Sequence, residues 1–301
     1  MYDVIIIGAG TAGLSAGIYV ARSGKTALIL EKKAYGGQII NTPKIENYPG
    51  IKDISGFEFA THLYEQVTQL SVEVKFDEAI SIENHDDYKI VNTPISSYKC
   101  KSLIIATGAK NRMLGLPNES KFIGAGVSYC ATCDGAFFRN KEVAVAGGGN
   151  TAVEDALFLS NYCSKVYIIL RRDVFRADER DIKVLKEKTN VEIIYNSNIT
   201  EIIGEDHVEG LKVTDTDGKT SFIKVQGLFI AIGHVPDNSV FKNLVNLDNN
   251  GYIIAGEDCQ TNASGIFTAG DCRTKNVRQL TTAASDGAIS ALAACERINK
   301  I

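Results

Sequence analysis

Cys130 and Cys133 stand three positions apart in Cys130-Ala131-Thr132-Cys133-Asp134-Gly135. Two thiols at that spacing can close a small disulfide ring, and such pairs often hold one thiol at a lowered pKa. The same spacing serves as half of a zinc site, but structural zinc normally takes four protein ligands. Neither a second Cys-X-X-Cys nor a Cys/His cluster occurs among the other five cysteines and the four histidines. Two-electron redox chemistry is therefore the favoured reading, with an inert buried pair as the alternative. Asp134 reads either as the start of an Asp-Gly turn or as a carboxyl group placed to protonate a leaving thiolate or a flavin.

Two glycine-rich loops supply partners for such a dithiol. Asp3-Val4-Ile5-Ile6-Ile7 is a β-branched run of the kind expected for a parallel strand buried on both faces, and Gly8-Ala9-Gly10-Thr11-Ala12-Gly13 follows it at once. A helix from about Thr11 would place Leu14, Ile18 and Ala21 on one side. In that setting the glycines admit a pyrophosphate to the backbone, and the helix N-terminus favours its charge. The next strand ends at Glu31, eighteen residues past Gly13. An acid there accepts hydrogen bonds from a ribose diol and repels a 2′-phosphate, so the first loop should hold an unphosphorylated adenosine, as in FAD or NAD.

The second loop is Gly147-Gly148-Gly149-Asn150-Thr151-Ala152, after the strand Glu142 to Ala146. Here the following strand ends not in an acid but in Arg171-Arg172, nineteen residues past Ala152, with Arg176 close behind. Guanidinium groups pair with a 2′-phosphate in a bidentate way, which reverses the preference and predicts NADPH. A solvated basic turn balanced by Asp173, Asp178, Glu179 and Asp181 is the plainer alternative.

These loops imply the architecture that positions them. Each is echoed downstream by an apolar strand ending in Ala-X-Gly: Ala106-Thr107-Gly108, 100 residues after Gly8, and Ala231-Ile232-Gly233, 86 after Gly147. The fold class is thus α/β, with two Rossmann-like three-layer nucleotide-binding domains, the second inserted into the first. The expected segments are 1–112, 113–237 and 238–301, with proline-bearing crossings at Met113 to Pro117 and His234 to Asp237. The last segment carries Ala269-Gly270-Asp271 and then a helix from about Thr281, with Ala284, Ala288, Ala291, Leu292 and Cys295 on one side.

Bulk composition excludes several classes. The 301 residues are 45% hydrophobic with a formal charge of −4, which allows full cores and gives no electrostatic case for nucleic acid. No apolar run approaches the roughly 18 residues of a membrane span, and Met1 leads directly into a strand with no secretory leader, so a cytoplasmic location is expected. Cys100, Cys163, Cys259, Cys272 and Cys295 have no close partner and read as buried apolar residues.

Taken together, these residues resemble the low-molecular-weight, NADPH-dependent thioredoxin reductases along essentially the whole chain. The resemblance rests on both glycine loops, Gly36-Gly37-Gln38, Glu46-Asn47-Tyr48-Pro49-Gly50, the Cys130 to Gly135 motif, the arginine turn, and Ala269-Gly270-Asp271 followed by Arg278-Gln279-Leu280. It implies FAD held by Gly8, Gly10, Thr11, Ala12, Gly13, Glu31, Gly37, Gln38, Asn47, Thr107, Gly108 and Asp271, with Arg278, Gln279 and Leu280 near the isoalloxazine. It implies NADPH on Gly147, Gly149, Asn150, Thr151, Ala152, Arg171, Arg172 and Arg176. Cys133 would face the flavin, Cys130 would attack the disulfide of thioredoxin, and Asp134 would be the acid. A homodimer and alternation between two domain orientations are also implied. Two positions depart from the pattern: Leu170 stands where the arginine turn commonly begins with His, and Ala125 where many relatives are basic.

Overall fold

The computed structural model describes residues 1–42 and 44–300, the side chain of Asn41 excepted; Ile301, the end of the third expected segment, lies outside the described residues. Internal contacts divide the chain into two units, Met1–Lys110 with Val235–Ile301, and Asn111–His234. The first unit opens with β1 (Tyr2–Ile7), α1 (Thr11–Arg22), β2 (Ala27–Glu31), α2 (Gly56–Gln69), β3 (Glu73–Phe76), β4 (Ser81–Asn84), β5 (Lys89–Asn92) and β6 (Ser97–Ile105). The first crossing is β7 (Ala109–Asn111). The second unit contains β8 (Val127–Ser128), α3 (Ala131–Asp134), β9 (Glu142–Ala146), α4 (Asn150–Leu159), β10 (Lys165–Ile169), α5 (Glu179–Glu187) and β11 (Val191–Ile194). It continues through β12 (Ser197–Ile203), β13 (Gly210–Asp215), β14 (Thr220–Lys224) and β15 (Gly227–Ile230). The second crossing, β16 (His234–Pro236), pairs with β7 as a two-stranded ribbon, and the chain returns through β17 (Ile266–Thr268) and α6 (Leu280–Asn299).

The first sheet runs β3-β2-β1-β6-β5-β4, with β17 also on β6. Its β3, β2, β1, β6 and β17 are mutually parallel, while β5 and β4 join antiparallel. The continuous apolar runs follow from two covered faces. Val4 and Ile6 enter a core with Ile29 and Ile104, whereas Ile5 and Ile7 enter the opposite one with Leu28, Leu30, Leu103 and Ile105. The second sheet, β11-β10-β9-β15-β8, is parallel throughout and divides in the same way. Val143, Val145, Val166 and Ile168 face one side, and Ala144, Ala146, Ile169 and Leu228 the other. The three strands β12 to β14 form a separate antiparallel sheet. The fold is the expected α/β class, and among the described residues no helix is long and apolar enough to cross a membrane.

The buried side of α6 is Ala283, Asp286, Gly287, Ser290, Ala291, Ala294, Cys295 and Ile298, whereas Leu292 is 51% exposed and Ala284 and Ala288 are half-buried. The buried stripe follows closeness rather than apolarity: α6 lies so close to α1 that small residues, polar ones included, are selected there. A Cβ on Gly287 would stand 2.3 Å from the Ala12 carbonyl oxygen, and the Ser15 hydroxyl donates to the Ala284 carbonyl at 2.7 Å. Gly287→Ala therefore forces the helices apart; urea unfolding should show a loss of about 1–3 kcal/mol.

Candidate functional site

In the first unit the glycines of the loop after β1 divide between two tasks. Gly8, at φ +106°, lies where a Cβ would meet the Ala106 carbonyl oxygen at 2.4 Å, and a Cβ on Gly13 would meet the Gly8 carbonyl oxygen at 1.9 Å. Both are close approaches of backbone to backbone. Gly10 has no atom within 4 Å of its Cβ position; it is the N-cap of α1, which has neither a side-chain cap nor an acid in its first turn. The first N–H groups of α1 thus have no capping side chain, the arrangement that takes a phosphate. Thr11, Ala12 and Gly13 form that first turn.

Other segments converge on the same loop. Glu31, at the end of β2, accepts from the Ala9 N–H at 2.8 Å and the Lys33 N–H at 2.9 Å, so its carboxylate is fixed beside the glycines. The Gly36 N–H donates to the Ala9 carbonyl at 2.7 Å, and Gly37 lies against Gly10. Gln38 donates to the Ala109 carbonyl, and the Asn47 amide donates to Gln279 at 3.3 Å. Arg278 reaches the carbonyls of Asp271 and Arg273 and lies over the Tyr252 ring. Leu280 is the first residue of α6, and Gly108 has open space around its Cβ position. Asp271 Oδ1 is buried and, among the described residues, has no hydrogen-bond partner. Burial raises its pKa against the opposing charges of Lys275 and Arg278. A buried acceptor of this kind, with the open glycine at the α1 N-terminus, fits a dinucleotide that brings both a diphosphate and hydroxyl donors.

Sequence reasoning missed Asn238. It is 1% exposed and donates to the carbonyls of Gly251 (2.9 Å) and Cys272 (2.8 Å) while accepting from the Thr107 hydroxyl at 3.1 Å. It thereby ties the turn after β6 to the Asp271–Cys272 turn. An Asn in a loop carries no local signal for such a task.

The second unit repeats the construction. A Cβ on Gly147 would meet the Ala231 carbonyl oxygen at 2.4 Å, whereas that on Gly149 has only the Arg176 carbonyl oxygen, at 4.0 Å. Gly149 caps α4, which begins with Asn150, Thr151 and Ala152 and has no acid in its first turn. The arginine turn is pinned to this loop: the Arg176 N–H donates to the Gly148 carbonyl at 2.7 Å, and the Asp178 N–H donates to the Asn150 side chain at 3.0 Å. Among the described residues, no carboxylate lies within ion-pair distance of Arg171, Arg172 or Arg176. Leu170 is buried, with its side chain filling the space beneath Gly148.

Cys130 and Cys133 form a disulfide at the start of the short α3, with Cys130 Sγ accepting the Cys133 N–H at 3.2 Å. Asp134 ends that helix. Its Oδ2 accepts from the Ser128 hydroxyl at 2.6 Å, and its Oδ1 is buried with no partner. Burial pushes this carboxyl above its usual range, and the Ser128 hydrogen bond only partly opposes that. The same Ser128 oxygen accepts the Cys130 N–H at 3.1 Å, linking acid and dithiol. Glu119, fully buried, accepts from the N–H groups of Leu114, Gly115 and Leu116 and from the Tyr129 hydroxyl, which orders the chain entering the motif. Neither Ser128 nor Glu119 was legible, because their partners are set by tertiary folding. The five other cysteines are buried and free. Burial raises the thiols of Cys100 and Cys259 to about 12 and that of Cys163 to about 11, which leaves them inert as nucleophiles.

The helix behind the dithiol, α4, packs on it through Phe158 and Leu159 at Gly135 and carries a further shifted acid. Burial, reinforced by Glu154, pushes Asp155 up to about 7. Such a group is neutral when folded but ionised when unfolded between pH ~4 and ~7, so its contribution to stability falls as pH rises through that window. Asp155→Asn should therefore raise the thermal midpoint at pH 8 and leave it unchanged at pH 4, as measured by circular dichroism.

The pyridine nucleotide-disulphide oxidoreductase family pattern matches residues 2–287. The chain is 42% identical over 294 residues to a thioredoxin reductase of Listeria monocytogenes, spanning 96% of this chain and 92% of that one. It is 40% identical over 293 residues to a thioredoxin reductase of Bacillus subtilis, spanning 97% and 93%. The crystal structure of thioredoxin reductase from Streptococcus pyogenes superposes with a TM-score of 0.95 at 42% identity, over 100% of this chain and 99% of that one.

Proposed function

The chain belongs to the pyridine nucleotide-disulphide oxidoreductases, in their thioredoxin reductase branch, and on that premise we propose that it carries two electrons from NADPH, by way of FAD and the Cys130–Cys133 dithiol, to the disulfide of a thioredoxin. The observation that carries this reading is the Cys130–Cys133 disulfide beside an acid whose free oxygen is buried and whose proton is held above the usual carboxylate range.

Bound FAD would supply a two-electron relay between a nicotinamide and a disulfide. Gly10 and the first turn of α1 would receive its diphosphate, Glu31 its adenosine ribose, and Asp271 a hydroxyl donor. Thr107, Gly108, Gln38 and Asn47 would line the path to Arg278, Gln279 and Leu280. In the second unit, Gly149 and the start of α4 would receive the NADPH diphosphate, and Arg171, Arg172 and Arg176, which have no carboxylate partner, its 2′-phosphate.

The thiol chemistry takes the roles that the resemblance implies for the two cysteines. With the disulfide reduced, Cys130 as thiolate attacks one sulfur of the thioredoxin disulfide; a mixed disulfide forms and the departing thiolate takes a proton. Cys133 then attacks Cys130, restoring the internal disulfide and releasing the second thiolate, which is also protonated. Asp134, whose burial favours its protonated form, is the proton donor beside these sulfurs.

The dithiol and the NADPH loop belong to one unit and the FAD loop to the other, yet both must meet the flavin ring in turn. We read the ribbon of β7 and β16 as the hinge for that exchange. By its resemblance the enzyme is a homodimer.

Anaerobic steady-state reduction of a thioredoxin, with NADPH, NADH and reduced ferredoxin as parallel donors, tests the reading. Turnover is expected with NADPH and lost in Cys130→Ser and Cys133→Ser; replacing Arg171 and Arg176 together by Ala should reduce the preference over NADH roughly 10- to 100-fold. Turnover with ferredoxin but not NADPH would overturn the role of the three arginines. Asp134→Asn should slow turnover about 10²-fold and abolish the loss of activity that wild type shows as pH rises through the Asp134 pKa.

A further inference from the structure

Behind the Gly270–Asp271 turn lies a buried ionic cluster with no part in the chemistry above. Asp286 on α6 is 3% exposed and Arg273 is 2% exposed, and the Lys275 side chain is 6% exposed. Asp286 Oδ2 accepts from the Gly270 N–H, Arg273 Nε and Lys275 Nζ, each at 2.9 Å, while Oδ1 accepts from Arg273 NH2 at 2.8 Å. One carboxylate thus satisfies four donors, all of them from the turn that carries Asp271. Burial alone would raise Asp286, but the hydrogen bonds from Arg273 and Lys275 outweigh it and hold the group below its usual value.

The neighbouring Asp271 has the opposite condition: a buried oxygen with no partner, although the charge of Lys275 is felt there. A free carboxylate oxygen beside buried cations is costly unless something else holds those cations. Resting on the FAD reading above, we propose that Asp286 is a positioning residue for the cofactor: it engages Arg273 and Lys275, pins Gly270, and so leaves the Asp271 carboxylate free to accept from FAD. Without it, Lys275, whose charge already reaches Asp271, turns to that carboxylate and draws it into an internal ion pair. Two cations against one anion leave a positive excess in the cluster, and the charge of Lys275 reaches Asp271; Glu257, 3.9 Å from Arg273, is 97% exposed.

The test measures FAD release from full-length purified protein, by the rise of free flavin fluorescence on dilution, together with the visible circular dichroism of bound flavin. Asp286→Asn is expected to weaken FAD binding at least tenfold and to alter the flavin dichroism. Asp286→Asn combined with Lys275→Met removes one competing cation and should recover at least threefold, a rescue that a merely structural contact does not give. Binding by Asp286→Asn within twofold of wild type, or a loss that the second substitution leaves unrelieved, overturns the proposal. Should Asp286→Asn fail to fold, the double variant is read against Lys275→Met: binding at least threefold weaker in the double supports the role, and weaker binding short of that refutes it. A wild-type protein that neither carries nor takes up FAD would instead sink the functional reading.

Discussion

A backbone carbonyl sets the geometry of the first unit. The Gly8 oxygen occupies the place where a side chain on residue 13 would begin, with 1.9 Å between that oxygen and a Cβ. Gly8 in turn lies against the Ala106 carbonyl. This double approach lets α1 leave β1 in a tight turn, so that the helix N-terminus stands at the carboxyl edge of the sheet beside Glu31 and the end of β6. Gly270 and Gly287 continue the approach on the other side of α1, where Cβ atoms would meet Ala12 at 2.8 Å and 2.3 Å. Were these contacts relaxed, the uncapped N–H groups of α1, the Glu31 carboxylate and the Asp271 turn would lose their common focus.

Around that focus, buried carboxylates are handled in contrasting ways. Asp286 is fully paired and stays ionised. Asp271 is buried with one oxygen unsatisfied, the condition of a group that awaits a donor from outside the protein. Asp134, in the other unit, has a single hydroxyl partner and is pushed towards the neutral form. Desolvation acts on all three, and what separates them is the number and charge of their neighbours. One side-chain type can thus serve as clamp, acceptor and acid within a single chain.

Cysteine chemistry is divided by burial in the same way. Cys100, Cys163 and Cys259 have thiols raised to about 11 or 12, which confines exchange to the pair that is partly exposed and joined. That pair sits on α3, held from behind by α4, the helix that begins at the second glycine loop. Dithiol and nucleotide loop therefore belong to one structural block.

Much of this was legible in the residues. The glycine loops, the acid at position 31, the arginines at 171, 172 and 176 and the Cys-X-X-Cys are local signatures, since each depends on spacing within one strand, turn and helix, and spacing is what a sequence records. Two-sided burial of β1 was legible for the same reason. The buried face of α6 was not, because there the selecting force is backbone proximity to α1, which favours Gly, Ala and Ser over the larger apolar residues that a periodicity count rewards. Ser128 beside Asp134, Asn238 between Thr107 and Cys272, and Asp286 holding Arg273 and Lys275 were also invisible. Those partners lie 6 to 131 residues apart, and whether a polar side chain is buried and what it meets is decided only when the chain closes on itself.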